Sequence, residues 1–150
     1  MRVAAVDLGK VRVGLAVSDE LGLIAHPRPH LDGSNMERVV SELGRLAEEE
    51  GVTVFVVGLP LTLAGAEGTR AKHARKFAVR LAARTRARVE LLDERLTTRQ
   101  ARDYLRAQGL SERAFRTRLD SASAAVLLQS WLDRSNPVAE APAELRREGQ

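Results

Sequence analysis

The chain has 150 residues, of which 44% are hydrophobic and 3% aromatic, so it suits one domain with a core mainly of Leu, Val and Ala. Its 24 Lys and Arg against 20 Asp and Glu give a net charge of +4, which favours a polyanionic partner but leaves a merely soluble basic surface open. The absence of cysteine excludes disulfides and Cys-based zinc sites. No apolar run approaches the roughly 20 residues of a membrane span, so we expect a cytoplasmic protein without a membrane partner.

The first half of the chain predicts a hairpin, a third strand and a helix. The predicted strands are residues 2–7, 12–18 and 21–27, and residues 26–33 are a predicted loop. A short turn with Gly9 between two Val-rich segments is typical of an antiparallel hairpin, and Pro27 is expected to end the third strand. Ser34 and Glu37 have capping-box spacing, which predicts a helix that begins at Ser34 and ends at Gly51.

The second half alternates strands and helices. Its continuously apolar segment, residues 52–60, is typical of a strand buried on both faces. Thr97 and Gln100 repeat the capping-box spacing and predict a helix that runs to Gln108. The other predicted elements are a loop at 61–68, helices at 69–85, 112–116 and 120–132, and a strand at 88–94.

This order predicts an α/β fold with one mixed five-stranded sheet. An antiparallel hairpin meander supplies three strands, parallel strands supply the rest, and helices flank the sheet. Residues 1–134 form the expected domain. Residues 135–150 are rich in polar and small residues and predict a flexible C-terminal tail.

Three acids stand at element ends where ligands gather in α/β sheets. Asp7 and Glu94 close two predicted strands, and Asp120 opens the last helix. Three carboxylates in one place repel each other, and hard divalent cations such as Mg²⁺ or Mn²⁺ relieve that repulsion through oxygen ligands. The pattern favours a metal site for phosphoryl displacement.

Each acid also has an ordinary structural interpretation. Asp7 can be a turn residue of the hairpin, and Asp120 can be a simple helix cap. Asp93 and Glu94 can be surface acids at a strand end that pair with Arg95.

Basic residues form two stripes that predict contact with a phosphate backbone. The first lies at four-residue spacing on one helix face, with no acid between residues 69 and 89: Lys72, Lys76, Arg80 and Arg84. The second, which is the alternative location for the substrate, comprises Arg95, Arg99, Arg102 and Arg106. The glycine-rich loop at residues 58–68 is either a substrate loop or a plain connection, and it lacks the Lys-Ser/Thr of a nucleotide P-loop.

Four segments carry a family resemblance: DLGKVRVGLAVSD, VVGLPLTLAGAEG, DERLTT and DSASAAVLLQ. They resemble, in order, the motif blocks of the YqgF (RuvX) family, whose members are described as Holliday-junction resolvases or nucleases of small-subunit ribosomal RNA precursor. The resemblance runs from Met1 to about Leu132 and implies an RNase H-like fold. It also implies that Asp7, Glu94 and Asp120 are the catalytic, metal-binding acids.

The resemblance gives the first block further meaning. Gly9, Arg12 and Gly14 complete its pattern, and Arg12 is expected to hold the turn, to bind phosphate, or to pair with a surface acid. The turn reads Lys10-Val11, where many relatives carry Thr-Lys, so no role is carried over to a turn lysine.

The leading hypothesis is a metal-dependent nuclease, a hydrolase of ester bonds that uses Mg²⁺ or Mn²⁺. The resemblance implies 5′-end processing of pre-16S rRNA in ribosome biogenesis, with resolution of four-way DNA junctions as the alternative. A non-catalytic nucleic-acid-binding protein is the alternative from another class, and a phosphotransferase of the same superfold is disfavoured by the short chain. Expected nucleic-acid contacts are Arg12, Lys72, Lys76, Arg80, Arg84, Arg95 and Arg99, and the sequence leaves a homodimer open.

Overall fold

The computed structural model describes residues 1–109 and 119–135, and of Leu119 and Asp120 the backbone alone. The strands are β1 (Arg2–Leu8), β2 (Arg12–Ser18), β3 (Ala25–Asp32), β4 (Val52–Leu59) and β5 (Arg88–Asp93). Within the described residues the helices are α1 (Met36–Glu50), α2 (Thr69–Arg84), α3 (Arg99–Ala107) and α4 (Leu119–Ser135). None of these helices is both long and apolar enough to cross a membrane. The predicted helix at residues 112–116 lies outside the described part of the chain, and so does the predicted tail at 135–150 apart from Ser135, which ends α4.

The strands form one mixed sheet in the order β3-β2-β1-β4-β5. β1 pairs antiparallel with β2 and β2 pairs antiparallel with β3, whereas β1 with β4 and β4 with β5 are parallel. The predicted mixed five-stranded sheet is confirmed. β1 is its central strand, and the apolar β4 is an interior strand as expected.

Helices cover both faces of the sheet, and strand alternation decides which layer each side chain meets. Ala4 and Val6 of β1 pack into the core under α1 and α2. Val3 and Ala5 pack into the second core, under α3 and α4. Even-numbered residues of β1 therefore face α1 and α2, and odd-numbered residues face α3 and α4.

The third strand differs from the expectation. It was expected over residues 21–27 with an end at Pro27, but β3 begins only at Ala25, continues to Asp32, and contains both Pro27 and Pro29. β3 is an edge strand, and proline is tolerated there because one side of the strand needs no ladder hydrogen bond. Gly22, with φ of 69°, turns the chain before the strand begins.

Two helix caps lie one residue later than expected. Asn35, not Ser34, caps α1, and Thr98, not Thr97, caps α3. Ser34 and Thr97 are engaged in the preceding turns, through the backbone N–H of the first and the hydroxyl of the second, so the next polar residue takes the cap. The expected cap at the end of α1, Gly51, is confirmed, with φ of 72°.

α4 ties the two edges of the sheet together through polar side chains. Buried Gln129 accepts the Ala25 N–H at 2.9 Å through Oε1 and donates to the Leu23 carbonyl at 3.1 Å through Nε2. Toward the other edge, Trp131 Nε1 donates to Glu90 Oε2 at 2.9 Å. These bonds hold α4 across the sheet and so fix the position of its first turn.

Replacing Gln129 by Leu should destabilise the fold by about 1–3 kcal/mol, because the Ala25 N–H and the Leu23 carbonyl lose their partner. Equilibrium urea denaturation measures the change in the free energy of unfolding. Gln100→Leu on the exposed surface of α3 is the matched control and should change it by at most about 0.5 kcal/mol. Equal effects of the two substitutions would contradict the assigned role of Gln129.

Candidate active site

Asp7 faces the layer formed by α3 and α4. Val3 and Ala5 pack beneath those helices, and strand alternation puts Asp7 on the same face of β1. Its cross-strand partner on β2 is Gly14, and Gly58 stands at nearly the same level of β4 on the other side. Neighbouring strands therefore place no side chain beside this carboxyl, which leaves room at this end of the sheet.

The Glu94 carboxyl lies beside that of Asp7 and comes from the end of β5. The strand ends at Asp93, and a 3-10 turn begins at Glu94. Asp93 Oδ1 accepts the Arg95 N–H at 2.9 Å and the Thr97 hydroxyl donates to the Glu94 carbonyl at 2.8 Å, which fixes the turn. The Glu94 carboxyl then lies over Gly58, where an added Cβ would stand 2.6 Å from Oε1.

The two carboxyl groups interact directly, and the pKa of Glu94 is raised to about 7. Burial is the largest cause, followed by the charge of Asp7 and the hydrogen bond between the two side chains. Asp93 adds a smaller repulsion, and the charge of Arg70 opposes these effects. Below about pH 7, Glu94 therefore holds a proton that it shares with Asp7.

The pair lies in a cleft of about 270 Å³ between the sheet and two helices. Its lining residues are Asp7, Glu94, Thr97, Arg102, Ser123, Val126 and Leu127. The cleft offers two carboxyls, two hydroxyls and a guanidinium beside apolar side chains. The oxygen atoms suit a hard cation, and the guanidinium suits a phosphate group.

Asp120 is the second residue of α4. Ser123, three residues later, lines the cleft with the acid pair. Among the residues whose side chains the structure describes, which exclude that of Asp120, no group of three His, Cys, Asp or Glu could hold a metal ion. The structure thus brings Asp7 and Glu94 together, and the third acid stays a prediction.

The basic stripe on α2 lies on the other side of the sheet from Asp7. Its members are all exposed: Lys72, Lys76, Arg80 and Arg84. The opposite face of α2 packs Ala71, Phe77 and Leu81 into the core shared with α1. Nucleic-acid binding by this stripe stays a prediction, and the sheet separates most of it from the acid cleft.

The second stripe lies on the same side as the acids. Arg102 lines the acid cleft itself. Arg99, Arg102 and Arg106 line the adjoining groove. Sequence periodicity ranked this stripe second, because the spacing of charges does not show which sheet face a helix covers.

Arg95 and Arg12, two other residues expected to contact nucleic acid, differ from each other in their surroundings. Arg95 forms an ion pair with Asp93 at 2.7 Å and reaches the Leu63 carbonyl at 3.5 Å, so it links β5 to the glycine-rich loop. Pairing of Arg95 with Asp93, one of the ordinary interpretations, is confirmed. The Arg12 carbonyl accepts the Gly9 N–H at 2.9 Å, and its exposed side chain takes part in no ion pair within the described residues.

Sequence reasoning missed Arg70 and Ser123. Arg70 lies in the first turn of α2, its Nη2 donates to the Leu8 carbonyl at 3.4 Å, and its charge lowers the pKa of Glu94. Arg70 was one of eight basic residues in a run, and Ser123 was one of several small residues in a helix. Two features of the sequence could have indicated these residues: Arg70 follows the glycine-rich loop, and Ser123 lies one turn after Asp120.

The fold defines the class of protein. RuvC from T. thermophilus, solved in complex with Holliday junction substrate, matches with a TM-score of 0.61 and 18% identity, over 90% of this chain and 96% of that chain. The likeness shows that the chain has the RNase H-like fold of RuvC, as predicted.

The family follows from the sequence match. Residues 1–134 match the family described as RuvX, Holliday junction resolvase. Relatives named "Putative pre-16S rRNA nuclease" occur in Anaeromyxobacter sp. (strain K), at 46% identity, and in Anaeromyxobacter dehalogenans (strain 2CP-1 / ATCC BAA-258), at 45%, each over 91% of this chain and 100% of the relative. The chain belongs to the RuvX family, a family of nucleases, and the resemblance drawn from its motifs is confirmed.

Gly58→Ala should separate the two carboxyls without unfolding the protein. The new Cβ would stand 2.6 Å from Glu94 Oε1, and the flexible end of Glu94 can move away. The pKa of Glu94 should then fall from about 7 toward its ordinary value of 4.5, which carboxyl-carbon NMR titration of the metal-free protein measures. Gly68→Ala, where nothing lies within 4 Å, is the control. An unchanged titration near pH 7 in Gly58→Ala would contradict this geometry.

Glu94→Gln should stabilise the metal-free fold at pH 8 much more than at pH 5. Folding raises the pKa of Glu94 from 4.5 to about 7, so the stability that the protonated carboxyl allows is fully present below pH 4.5 and is lost as pH rises from 4.5 to about 7. Gln cannot ionise and escapes the loss, which is on the order of 1–3 kcal/mol. Urea denaturation in EDTA at the two pH values measures it, and a stabilisation that is equal at both would refute the assignment.

Proposed function

We propose that this chain is a divalent-metal-dependent endonuclease that hydrolyses phosphodiester bonds of structured nucleic acid. The observation that carries the proposal is the opposed carboxyl pair, Asp7 and Glu94, in a cleft at the end of the central strand. Membership of the RuvX family supports the same reaction class.

The donor set fits a hard cation. Two carboxyls held against each other require either a proton or a cation, and Mg²⁺ and Mn²⁺ prefer such oxygen ligands. Asp7, Glu94 and Asp120 would hold the metal. Support for the third ligand is its position three residues before Ser123, because residues three apart share a helix face and Ser123 lines the cleft. When bound, the metal supplies an activated water and stabilises the developing charge on the phosphoryl group.

The protein groups around the acids prepare the cleft for this reaction. Glu94 must release its proton to accept a cation, so metal affinity should rise with pH through about 7. Arg70 favours that release because its charge lowers the pKa of Glu94. Arg102 lines the same cleft, and its planar guanidinium suits a phosphodiester oxygen beside the carboxylates.

The preferred substrate is the precursor of 16S rRNA, because the similar proteins from Anaeromyxobacter carry that substrate in their names. Processing at its 5′ end is what the family resemblance implies. A four-way DNA junction is the second candidate, favoured by the family description and by the junction complex of RuvC. A resolvase must cut two symmetric strands, which a homodimer with two clefts would do, whereas end processing needs one cleft.

Asp7→Asn should reduce cleavage by more than about 100-fold while leaving the fold and most nucleic-acid binding intact, because the acid serves the metal and the metal serves the transition state. Cleavage of precursor 16S rRNA and of four-way DNA junctions with Mg²⁺ or Mn²⁺ measures the effect. Asp32→Asn, at the exposed end of β3, makes the same chemical change away from the cleft and should retain activity.

The outcomes separate the candidate functions. Full activity of Asp7→Asn would refute the proposed metal site. Binding without cleavage by the unaltered protein, on both substrates and with both metals, would instead support a non-catalytic binding protein. Preference for the junction, together with a dimeric mass by light scattering, would support the resolvase.

A further inference from the structure

The acid cleft continues into a second groove along α3. The two cavities share Thr97, Arg102 and Val126. The second has a volume of about 420 Å³. It is lined by Thr97, Thr98, Arg99, Arg102, Asp103, Arg106 and Val126.

The groove is positively charged over most of its length. Arg99, Arg102 and Arg106 line it against one acid, Asp103. α3 buries Ala101 and Leu105 in the core that it shares with α4, and that core covers the sheet face on which Asp7 lies. The arginines therefore lead from the acid cleft without passing an edge of the sheet.

We propose that one strand of the substrate lies in this groove, with the cleaved phosphate at Asp7 and Glu94 and the neighbouring phosphates along Arg102, Arg99 and Arg106. This inference rests on the proposed nuclease function and assigns the path of its substrate. From Arg99 to Arg106 the helix rises about 10 Å, which is long enough to meet more than one phosphate of a strand. Arg102, which lines both cavities, contacts the phosphate next to the cleavage site.

The rival surface is the α2 stripe. It lies on the helix that covers the opposite face of the sheet, and its later members Arg80 and Arg84 line a cavity with Glu37 of α1. The five-stranded sheet lies between the acid cleft and most of this stripe, including Lys76 and Arg80, so a short strand seated in the cleft does not reach those two residues. The two stripes thus make opposite predictions for a short substrate.

The test compares two double variants that each remove two exposed positive charges: Arg99→Ala with Arg102→Ala, and Lys76→Ala with Arg80→Ala. Binding of a single-stranded RNA of about ten nucleotides is titrated in EDTA at several salt concentrations, so the measurement does not depend on cleavage. The α3 variant should weaken binding about tenfold or more, with a log–log salt slope lower by about 1.4, because each arginine that binds a phosphate contributes about 0.7 to the slope. The α2 variant should bind within about twofold of the unaltered protein, with an unchanged slope, and circular dichroism checks both folds.

Wild-type binding and slope in the α3 variant would overturn the proposed path, as would an equal loss in the α2 variant. A lysine pair, Arg99→Lys with Arg102→Lys, should recover most of the salt slope, because the charge is retained; no recovery would overturn phosphate contact as the cause. If the unaltered protein binds through α3 but cleaves no substrate with Mg²⁺ or Mn²⁺, the path stands and the proposed nuclease function fails.

Discussion

Repulsion between two carboxyl groups is the constraint on which the acid cleft of this molecule depends. The central strand fixes the backbone of Asp7, and the 3-10 turn after β5 brings Glu94 against it, so the two carboxyls stay together unless the end of the Glu94 side chain is displaced. Burial and the neighbouring charge of Asp7 together raise the pKa of Glu94 to about 7, so the pair keeps a proton at low pH. Above that pH the two carboxylates repel each other, and the divalent cation of the proposed function would relieve this repulsion.

The geometry of the Asp7–Glu94 pair depends on residues that take no part in the proposed reaction. Gly58 leaves the volume that the Glu94 carboxyl occupies, and Gly14, the cross-strand partner of Asp7, has no side chain. The bonds of Gln129 to the chain at β3 and of Trp131 to β5 hold α4 across the sheet. A change in any of these would act on the acids through position rather than through charge.

The sequence predicted the sheet, its mixed pairing and the placement of Asp7 and Glu94, because these follow from apolar runs and from strand ends. It placed the third strand too early, since Pro27 and Pro29 end most strands but are tolerated on an open edge. The caps of α1 and α3 each shifted by one residue because two adjacent polar residues compete, and three-dimensional turns decide between them. Local patterns do not contain that information.

The same limit explains the two basic stripes, and it bears on how the substrate is held. Equal spacing of charges along α2 and α3 says only that each helix has a basic face. What differs is the buried residue set: Phe77 of α2 joins the core on one side of the sheet, whereas Leu105 of α3 joins the core on the side of Asp7. Since these cores lie on opposite faces, one short strand can lie along α3 and meet the acids, but beyond the first turn of α2, where Arg70 approaches Glu94, it cannot also lie along the α2 stripe. A large folded nucleic acid that passes around an edge of the sheet could contact both basic stripes. Under the proposed path, the α2 charges would therefore raise the affinity for large substrates, whereas the α3 charges would position the strand at the acids.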